Sequence, residues 1–357
     1  MPKVRKIGIA STDWSRTLTT LDGPVPGGSN WVRLQQNRPH MKFGSVTGLL
    51  VHHKQKGLGI IDWFNRTHYD CDVIIVQRLM FGALLDKLAD RRPGGPVIIN
   101  DIDDWYWGLH EENHAYKLTH PDYNKEENIE HYKNIIQLGD GVVASTPFLA
   151  GKMKNEFGCA NVDIVHNCVT TGDFAKRIYR NKKPVVGWVG STSHRSGDLD
   201  ILKDFANNKM FRWHHSGHID SAAWFADKIG IHRDRVSKTV MYHPQQYAKL
   251  SFQFDIGVAP LNDIPFHWAM SWIKGIEYAS AGIPFVASDV GEYRRLHDEY
   301  GVGRLATTPE EWTAHLEELC DPQVRAREAK RQLEIVKNEL DVKNMALNWS
   351  NVIEKYL

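Results

Sequence analysis

The feature that most constrains this chain is the alternation of short apolar runs with helical patterns in both halves of the sequence. In the first half the runs are Lys6–Ala10, Val73–Gln77, Val97–Asn100, Gly141–Ala144 and Val162–Val165. In the second half they are Val185–Val189, Phe211–His215, Val236–Tyr242, Asp255–Ala259 and Pro284–Ala287. Strands that are buried on both faces appear in a sequence as continuous apolar runs. The pattern therefore predicts an α/β fold with parallel sheets covered by helices.

Helical patterns separate these runs and end the chain. They lie at Gly82–Arg91, Asp198–Ala206, Pro244–Leu250, Trp268–Ala281 and Glu310–Leu319, with one or two amphipathic helices in Asp321–Leu357. A length of 357 residues suits two domains, and the polar segment Tyr179–Pro184 suits a junction. We predict an N-terminal domain over 1–180, a C-terminal domain over 181–335 and a C-terminal helix over 336–357.

Composition excludes several classes of protein. Hydrophobic residues are 42% and charged residues 24% of the chain, which is typical of a globular rather than a disordered protein. The 4 cysteines form no CxxC pair, so the sequence argues against a disulfide framework and a cysteine-rich zinc site. We find neither a signal-peptide core nor an apolar stretch of about 18 residues. These features together predict a cytoplasmic protein without a membrane span.

The charge is balanced overall but uneven along the chain. A formal net charge of +1 excludes a uniformly basic nucleic-acid-binding protein. Residues 1–100 contain 14 Lys and Arg against 7 Asp, whereas residues 101–150 contain 3 Lys against 10 Asp and Glu. Two interpretations remain open: ordinary surface variation, or an N-terminal domain that meets an acidic acceptor.

Three motifs follow one another along most of the chain. Residues 139–169 contain a strand, a Ser-Thr-Pro helix start and a second strand that ends in His-Asn. Residues 185–202, which begin VVGWVGSTSHRSG, contain a strand, a polar turn and a helix start, whose exposed N–H groups suit a phosphate. Residues 255–293 place Ser271, Lys274 and Glu277 three residues apart, so we predict that they share one helix face.

In this order the motifs resemble the GT-B glycosyltransferases, in particular the retaining family 4-like group. The most specific match is EYASAGIPFVAS at Glu277–Ser288, and Gly187–Ser191 matches the GxVGS-type strand. The resemblance implies two Rossmann-like domains that face each other across a cleft holding a UDP- or GDP-linked sugar. It also implies a C-terminal helix that crosses back onto the first domain, with Trp349, Val352, Ile353 and Tyr356 on its apolar face.

The resemblance also implies roles for individual residues. Glu277 matches the family glutamate that binds the ribose hydroxyls. A carboxylate suits this role because it can accept hydrogen bonds from two neighbouring hydroxyls. Gly27 and Gly28 resemble the N-terminal glycine loop, where the backbone approaches the donor phosphate or the acceptor. The remaining candidates for donor binding are Ser191, His194, Arg195 and Lys274 at the diphosphate, with His267 and Ser271 nearby.

The implied reaction is transfer of a sugar to an acceptor hydroxyl, with retention and without a metal. The resemblance permits three classes of acceptor: a glycan, a protein or a modified DNA base. The last is the acceptor of phage DNA-modifying enzymes of this fold. The chain departs from the family at Ala269, where a second glutamate is usual, and at His166-Asn167-Cys168, where Pro-Asn-Gly is usual. Ala269, together with Met270 where a related subgroup has lysine, motivates an alternative: a catalytically inactive nucleotide-sugar-binding protein.

Two further motifs suggest metals. Asp101, Asp103 and Asp104 in NDIDDWYW have the spacing of a DxD metal site, but we favour a sugar or acceptor contact or a structural loop, with Asp104 as a catalytic candidate. His110–His114, HEENH, fits the HExxH zinc motif, so a zinc metalloprotease is a remote alternative. We favour His110 and His114 as catalytic candidates near the donor sugar, or as plain surface histidines.

Overall fold

The computed structural model describes residues 5–80, 82–91, 93–111, 113, 115–119, 128–177, 183–190, 197–217, 221–240 and 244–357. The chain forms two compact units. Unit 1 comprises residues 1–109, 115–167 and 342–357, and unit 2 comprises residues 110–114 and 168–341. After a short excursion at 110–114, the chain enters unit 2 at Cys168, stays there to Asp341, and returns to unit 1 for its last helix.

The strands are numbered in chain order. Those before Cys168 are β1 Lys6–Ser11, β2 Trp14–Thr20, β3 Gly23–Pro26, β4 Gly44–His53, β5 Gly57–Asp62, β6 Thr67–His68, β7 Val73–Gln77, β8 Val97–Ile102, β9 Gly141–Ala144 and β10 Val162–Ile164. Those after it are β11 Val185–Val189, β12 Arg212–Gly217, β13 Val236–Val240, β14 Ile256–Ala259, β15 Phe285–Ser288 and β16 Arg304–Ala306.

The α-helices are numbered in the same way. Those before Cys168 are α1 Gly28–Asn30, α2 Gly82–Ala89, α3 Tyr116–Thr119, α4 Asn128–Gln137 and α5 Pro147–Phe157. Those after it are α6 Ser221–Lys228, α7 Pro244–Leu250, α8 Pro265–Ala269, α9 Ile273–Ser280, α10 Gly291–Tyr300, α11 Pro309–Glu318, α12 Pro322–Glu339 and α13 Val342–Tyr356. Trp31–Gln35 forms a π-helical turn after α1.

Unit 1 is built on a sheet with strand order β10-β9-β8-β7-β1-β4-β5-β6. The strands from β10 to β4 are parallel, and β5 and β6 extend the sheet in antiparallel fashion. Side chains alternate between the two faces of β7: Val73 and Ile75 pack in one cluster with Trp349 of α13, and Ile74 packs in the other with Leu88 of α2. Helices thus cover both faces of the parallel strands.

The apolar runs in the sequence do not predict the hairpin of β2 and β3 or the extension formed by β4, β5 and β6. In β4, exposed and half-buried positions interrupt the buried ones, and glycines interrupt both β4 and β5. A strand that buries only part of its surface lacks the continuous apolar run on which the predictions depended.

Unit 2 is built on an all-parallel sheet with order β13-β12-β11-β14-β15-β16. One core cluster contains Val186, Trp188 and Trp213, and a second contains Phe254 and Tyr278. The α/β class with parallel sheets is therefore confirmed in both units. No helix among the described residues is long and apolar enough to cross a membrane. All four cysteines carry free thiols.

The prediction of one helix over Trp268–Ala281 is wrong. Helix α8 ends at Ala269, Met270 is extended, and α9 begins only at Ile273. The Ser271 hydroxyl accepts a hydrogen bond from the N–H of Ile273 at 3.4 Å, and such a local acceptor favours a new helix start over continuation. Lys274 and Glu277 share a helix as predicted, but Ser271 precedes it.

Candidate functional site

Polar side chains at the carboxyl ends of β1, β7 and β8 form a buried network in unit 1. Ser11 Oγ donates to Gln77 Oε1 at 2.8 Å, and Gln77 Nε2 donates to Asp101 Oδ2 at 2.8 Å. Asp101 also accepts from Arg33 Nη2 at 2.7 Å, in an ion pair whose side chains are 1% and 0% exposed. The network ties three neighbouring strands together, and a buried pair of this kind must stay intact because either charge alone is costly to bury.

A second cluster lies at the same edge of the sheet and is centred on Arg78. Its Nη2 lies 3.1 Å from Asp103 Oδ2 and donates to Ser29 Oγ at 2.8 Å, while its Nη1 lies 3.5 Å from Asp13 Oδ1. Tyr106 donates its hydroxyl to Asp103 Oδ1 at 2.6 Å. Asp101 and Asp103 are thus each bound to an arginine, and no cluster of three or more potential metal-ligating side chains occurs among the described residues.

The pKa values of the two carboxyl groups that follow β8, Asp103 and Asp104, are shifted in opposite directions. Burial alone would raise the pKa of Asp103, but the Arg78 guanidinium and hydrogen bonds from Ser29 and Tyr106 outweigh burial and lower it. Burial and the neighbouring Asp103 charge raise the pKa of Asp104 to about 7. Of these two groups, Asp104 is therefore the one that can exchange a proton near neutral pH.

The glycine pair Gly27-Gly28 lies beside the same cluster. Asp13 Oδ2 accepts from the N–H of Asn30 at 2.9 Å, and Asp13 O accepts from the N–H of Gly27 at 2.9 Å. A Cβ atom on Gly27 would lie 2.1 Å from Asp13 Oδ1, whereas a Cβ on Gly28 would meet nothing within 4 Å. Gly27 is required for the close packing of the loop, and the exposed backbone of Gly28 faces open space among the described residues.

The described residues of the HEENH segment, His110, Glu111 and Asn113, do not lie in the helix that a zinc-protease motif requires. His110 and Glu111 precede α3, which begins only at Tyr116, and the N–H of Asn113 bonds to the carbonyl of His110 in a turn. His114 lies outside the described residues. The spacing of two histidines by four residues binds zinc on one face of a helix, and the described part of this segment lacks that helix.

In unit 2, Lys274 and Tyr278 of α9 bind groups at the carboxyl ends of β11 and β14. Lys274 Nζ donates to the carbonyl of Val189, the last residue of β11, and lies 5.5 Å from the centre of the Trp188 ring. The Tyr278 hydroxyl donates to Val258 O at 3.1 Å and accepts from the N–H of Val189 at 3.2 Å, so it fixes α9 to both strands.

Tyr247 of α7 completes this site. Its hydroxyl donates to Glu277 Oε2 at 2.7 Å. Burial raises the pKa of Glu277 to about 7, against the opposing effects of the Tyr247 hydrogen bond and the Lys274 charge. The result is a half-buried carboxyl group, oriented by one donor, with a cation on the same helix.

The other donor-site candidates differ in their placement. His267 is 2% exposed; its Nδ1 lies 2.7 Å from Asn262 O, and its Nε2 lies 3.5 Å from Asp198 Oδ2. Asp198 Oδ1 accepts from the N–H of Asn262 at 3.0 Å, so these groups stabilise the loop after β14. Ser191, His194 and Arg195 lie outside the described residues.

No motif in the sequence predicts the contacts of four residues that the structure brings into these sites: Tyr247, Asp198, Arg78 and Asp13. Tyr247 lies 30 residues before Glu277, on a helix without a recognisable motif. Arg78 did carry a signal, because it directly follows the buried run Val73–Gln77, and polar residues at the carboxyl ends of parallel strands meet at one edge of the sheet.

Comparison with solved structures identifies the architecture as the GT-B fold. A sucrose-phosphate synthase from Thermosynechococcus elongatus is 13% identical, with 99% of each chain covered and a TM-score of 0.67. HepE from Anabaena, solved with UDP, is 12% identical over 98% of this chain and 100% of its own, with a TM-score of 0.64. WaaG, a glycosyltransferase involved in lipopolysaccharide biosynthesis, is 12% identical over 79% and 78%, with a TM-score of 0.53.

Sequence comparison adds nothing to this assignment. No protein-family model matches the chain, and no curated protein matches it significantly. At 12–13% identity these three structures establish the fold alone. What the chain does must be argued from its own residues.

Proposed function

We propose that this protein is a glycosyltransferase that uses a UDP- or GDP-linked sugar as donor. The observation that carries the proposal is the placement of Lys274 and Glu277 on α9. Tyr247 donates a hydrogen bond to Glu277, and Lys274 and Tyr278 bind carbonyl groups at the carboxyl ends of β11 and β14. Ligands of open α/β sheets bind at this edge. HepE, which has the same fold, has been solved with UDP and with UDP-glucose.

In the proposed donor site Glu277 accepts hydrogen bonds from the ribose hydroxyls, while Tyr247 holds its second oxygen. The ammonium group of Lys274 stabilises the negative charge that develops on the departing nucleoside diphosphate. Ser191, His194 and Arg195 remain predicted partners of the diphosphate. A cation in this place does electrostatically what a bound metal would do, and the proposed reaction is metal-independent, with retention.

We assign the acceptor to unit 1. Asp104, with its pKa near 7, is proposed to hold the sugar or to take the proton of the acceptor hydroxyl. His110 and His114 remain predicted catalytic candidates. The open backbone at Gly28 gives the acceptor or the donor phosphate room to approach. A glycan, a protein and a modified DNA base are the proposed acceptor classes.

A second candidate function, nucleotide-sugar binding without catalysis, is favoured by Ala269. This residue is 0% exposed, so the position where related sequences place a glutamate is packed into the core of this chain. Incubation with a radiolabelled donor separates the two functions. Hydrolysis or transfer supports the enzyme, and binding without turnover of any donor supports the binding protein.

A thermal-shift screen with UDP, GDP, UDP-glucose and GDP-mannose tests the proposal, because a ligand that binds the folded state raises the melting temperature. We expect one nucleotide to stabilise the protein and Glu277→Ala to abolish the shift. Glu292→Ala is the matched control, since burial also raises the pKa of that carboxyl to about 7, on a different helix. The proposal fails if no nucleotide shifts the melting temperature.

A further inference from the structure

The backbone of Arg78 adopts a conformation that arginine rarely takes. Its φ is 56°, and among the described residues the only other non-glycine with positive φ is Asn65, at 59°. Asparagine tolerates the left-handed region, whereas a bulky side chain is strained there and must be held by its surroundings. The strain lies at the carboxyl end of β7, at the centre of the cluster that Arg78 forms with Asp13, Ser29 and Asp103.

The contacts of Arg78 explain what holds it. One guanidinium reaches three separate segments: Asp13 in the loop after β1, Ser29 in α1, and Asp103 in the loop after β8. Its backbone carbonyl accepts from the Thr12 hydroxyl at 2.8 Å. A planar fork with five donors can make these bonds at once, which a lysine ammonium cannot do in the same geometry.

Asp104 follows the residue that Arg78 binds. The charged and titratable groups that act on its carboxyl are Asp103, Arg78, Tyr106 and Tyr132, and its Oδ1 accepts from the N–H of Trp105 at 2.9 Å. Arg78 fixes Asp103 as an ionised neighbour, 5% exposed. Asp104 is therefore held beside a negative charge that cannot move away.

We propose that Arg78 is a positioning residue, which locks the Gly27-Gly28 loop and the Asp103-Asp104 pair into the one arrangement that presents Asp104 to the acceptor hydroxyl. The role of Asp104 rests on the proposed glycosyltransferase function, but the locking by Arg78 does not. The energetic cost of the left-handed backbone is offset by the ion pairs and hydrogen bonds of one side chain, in keeping with strain stored at a functional site.

The decisive experiment follows the carboxyl ¹³C signals of aspartate in the full chain against pH, with Asp104→Asn assigning the resonance. Asp103→Asn keeps an acceptor for Tyr106 but removes the charge, so the midpoint of Asp104 should fall by about one pH unit. Arg78→Gly removes the guanidinium while relieving the backbone, so the midpoint should rise and the amide hydrogen of Asn30 should exchange faster. Arg78→Lys, which keeps the charge, should restore the midpoint in part.

Two matched controls come from unit 1. Arg91 and Asp140 form an ion pair at 2.7 Å near the start of β9, so Asp140→Asn removes a comparable carboxylate from the opposite edge of the sheet. Asn65→Gly relieves the other left-handed residue. Neither should move the midpoint of Asp104.

The proposal is overturned if Asp103→Asn and Arg78→Gly leave that midpoint where it is in the unchanged protein, or if both move it in the same direction. Should Arg78→Gly fail to fold, Arg78→Lys decides: faster exchange of the Asn30 amide than in the unchanged protein supports the proposal, and equal exchange overturns it. With an active donor, the acidic limb of kcat/KM should move in the same direction as the midpoint in each variant. Shifted midpoints without turnover of any donor contradict the enzyme and leave the positioning by Arg78 standing.

Discussion

At Glu277, burial and charge act on one carboxyl group in opposite directions. Burial raises its pKa to about 7, while the Tyr247 hydroxyl and the Lys274 ammonium favour the ionised form. The ionised form is the one that accepts hydrogen bonds from two ribose hydroxyls. A site built on this residue should therefore respond to pH in the neutral range, and Asp104, whose pKa also lies near 7, should do so separately in unit 1.

We expect the affinity for UDP-glucose to rise between about pH 6 and pH 8, as Glu277 loses its proton. UDP-glucose is the right probe because its phosphates do not titrate in this range. Isothermal calorimetry on the wild type and on Glu277→Gln measures the effect. The glutamine variant should bind more weakly and with little pH dependence; a profile equal to that of the wild type would show that another group titrates.

At the scale of elements, the loop between β3 and the π-helical turn shows how two adjacent glycines differ. Gly27 packs against the Asp13 carboxylate, whereas Gly28 begins α1 in open space. The sequence marks the two glycines alike, and only the position of Asp13 separates them. The break between α8 and α9 is a comparable case, since the apolar pattern continues there while the backbone of Met270 is extended and the Ser271 hydroxyl accepts from the N–H of Ile273.

We predict opposite effects for two alanine substitutions in this loop. Gly27→Ala places a methyl group against Asp13 and should destabilise unit 1 by about 1–3 kcal/mol. Gly28→Ala removes backbone freedom at a helical position without a clash and should be neutral or stabilising by about 0.5–1 kcal/mol. Urea unfolding followed by tryptophan fluorescence compares the two. Equal destabilisation would contradict the packing of Gly27 on Asp13.

At the scale of the whole molecule, the chain order and the division into units do not coincide. Helix α12 belongs to unit 2, but α13 belongs to unit 1, where Trp349 and Ile353 are fully buried in the cluster that contains Ile7 and Ile9. The Arg33 guanidinium lies 5.4 Å from the centre of the Trp349 ring. Helix α13 thus packs in the same core cluster as β1.

Trp349→Ala should therefore destabilise unit 1 by about 3–5 kcal/mol, through the lost burial and the cavity that remains. Leu347→Ala on the same helix is the matched control, because that side chain is 45% exposed and its loss should cost about 0.5 kcal/mol or less. Hydrogen exchange resolved by peptide locates the effect. Faster exchange in β1 and β7 is expected for Trp349→Ala, and protection equal to that of the control would contradict it.

We expect the nucleotide donor to bind to unit 2. Tyr247, Lys274 and Glu277, the core of the proposed donor site, belong to unit 2. Saturating UDP is expected to slow amide exchange at the end of β11 and along α9, since bound ligand suppresses local opening. Glu277→Ala under the same conditions is the control. Protection confined to unit 1 would place the nucleotide elsewhere.

How far the sequence predicts the fold differs from strand to strand. The bounds of β7, β9 and β11 agree with the predicted runs residue for residue, because these strands are buried at every position except Val185 and continuous apolar runs mark them. The runs did not predict β4, whose buried positions are interrupted by exposed and half-buried ones, or β5, whose apolar residues are interrupted by glycines. In the candidate site, Glu277 and Lys274 are predictions from a motif, whereas no pattern predicts Tyr247, because a hydrogen bond across 30 residues leaves no local signal.

The sequence by itself determined the α/β class and the residues of the glutamate motif, because apolar runs and helix spacing are local properties that few folds satisfy. Only the tertiary structure decided which polar groups meet. Asp101 and Asp103 look alike in the run NDIDD, yet one is bound by Arg33 and the other by Arg78, and Asp104 stands beside them with its pKa near 7. Strand order brings these partners together, and the energy of a buried charge depends on its partners and not on its spacing.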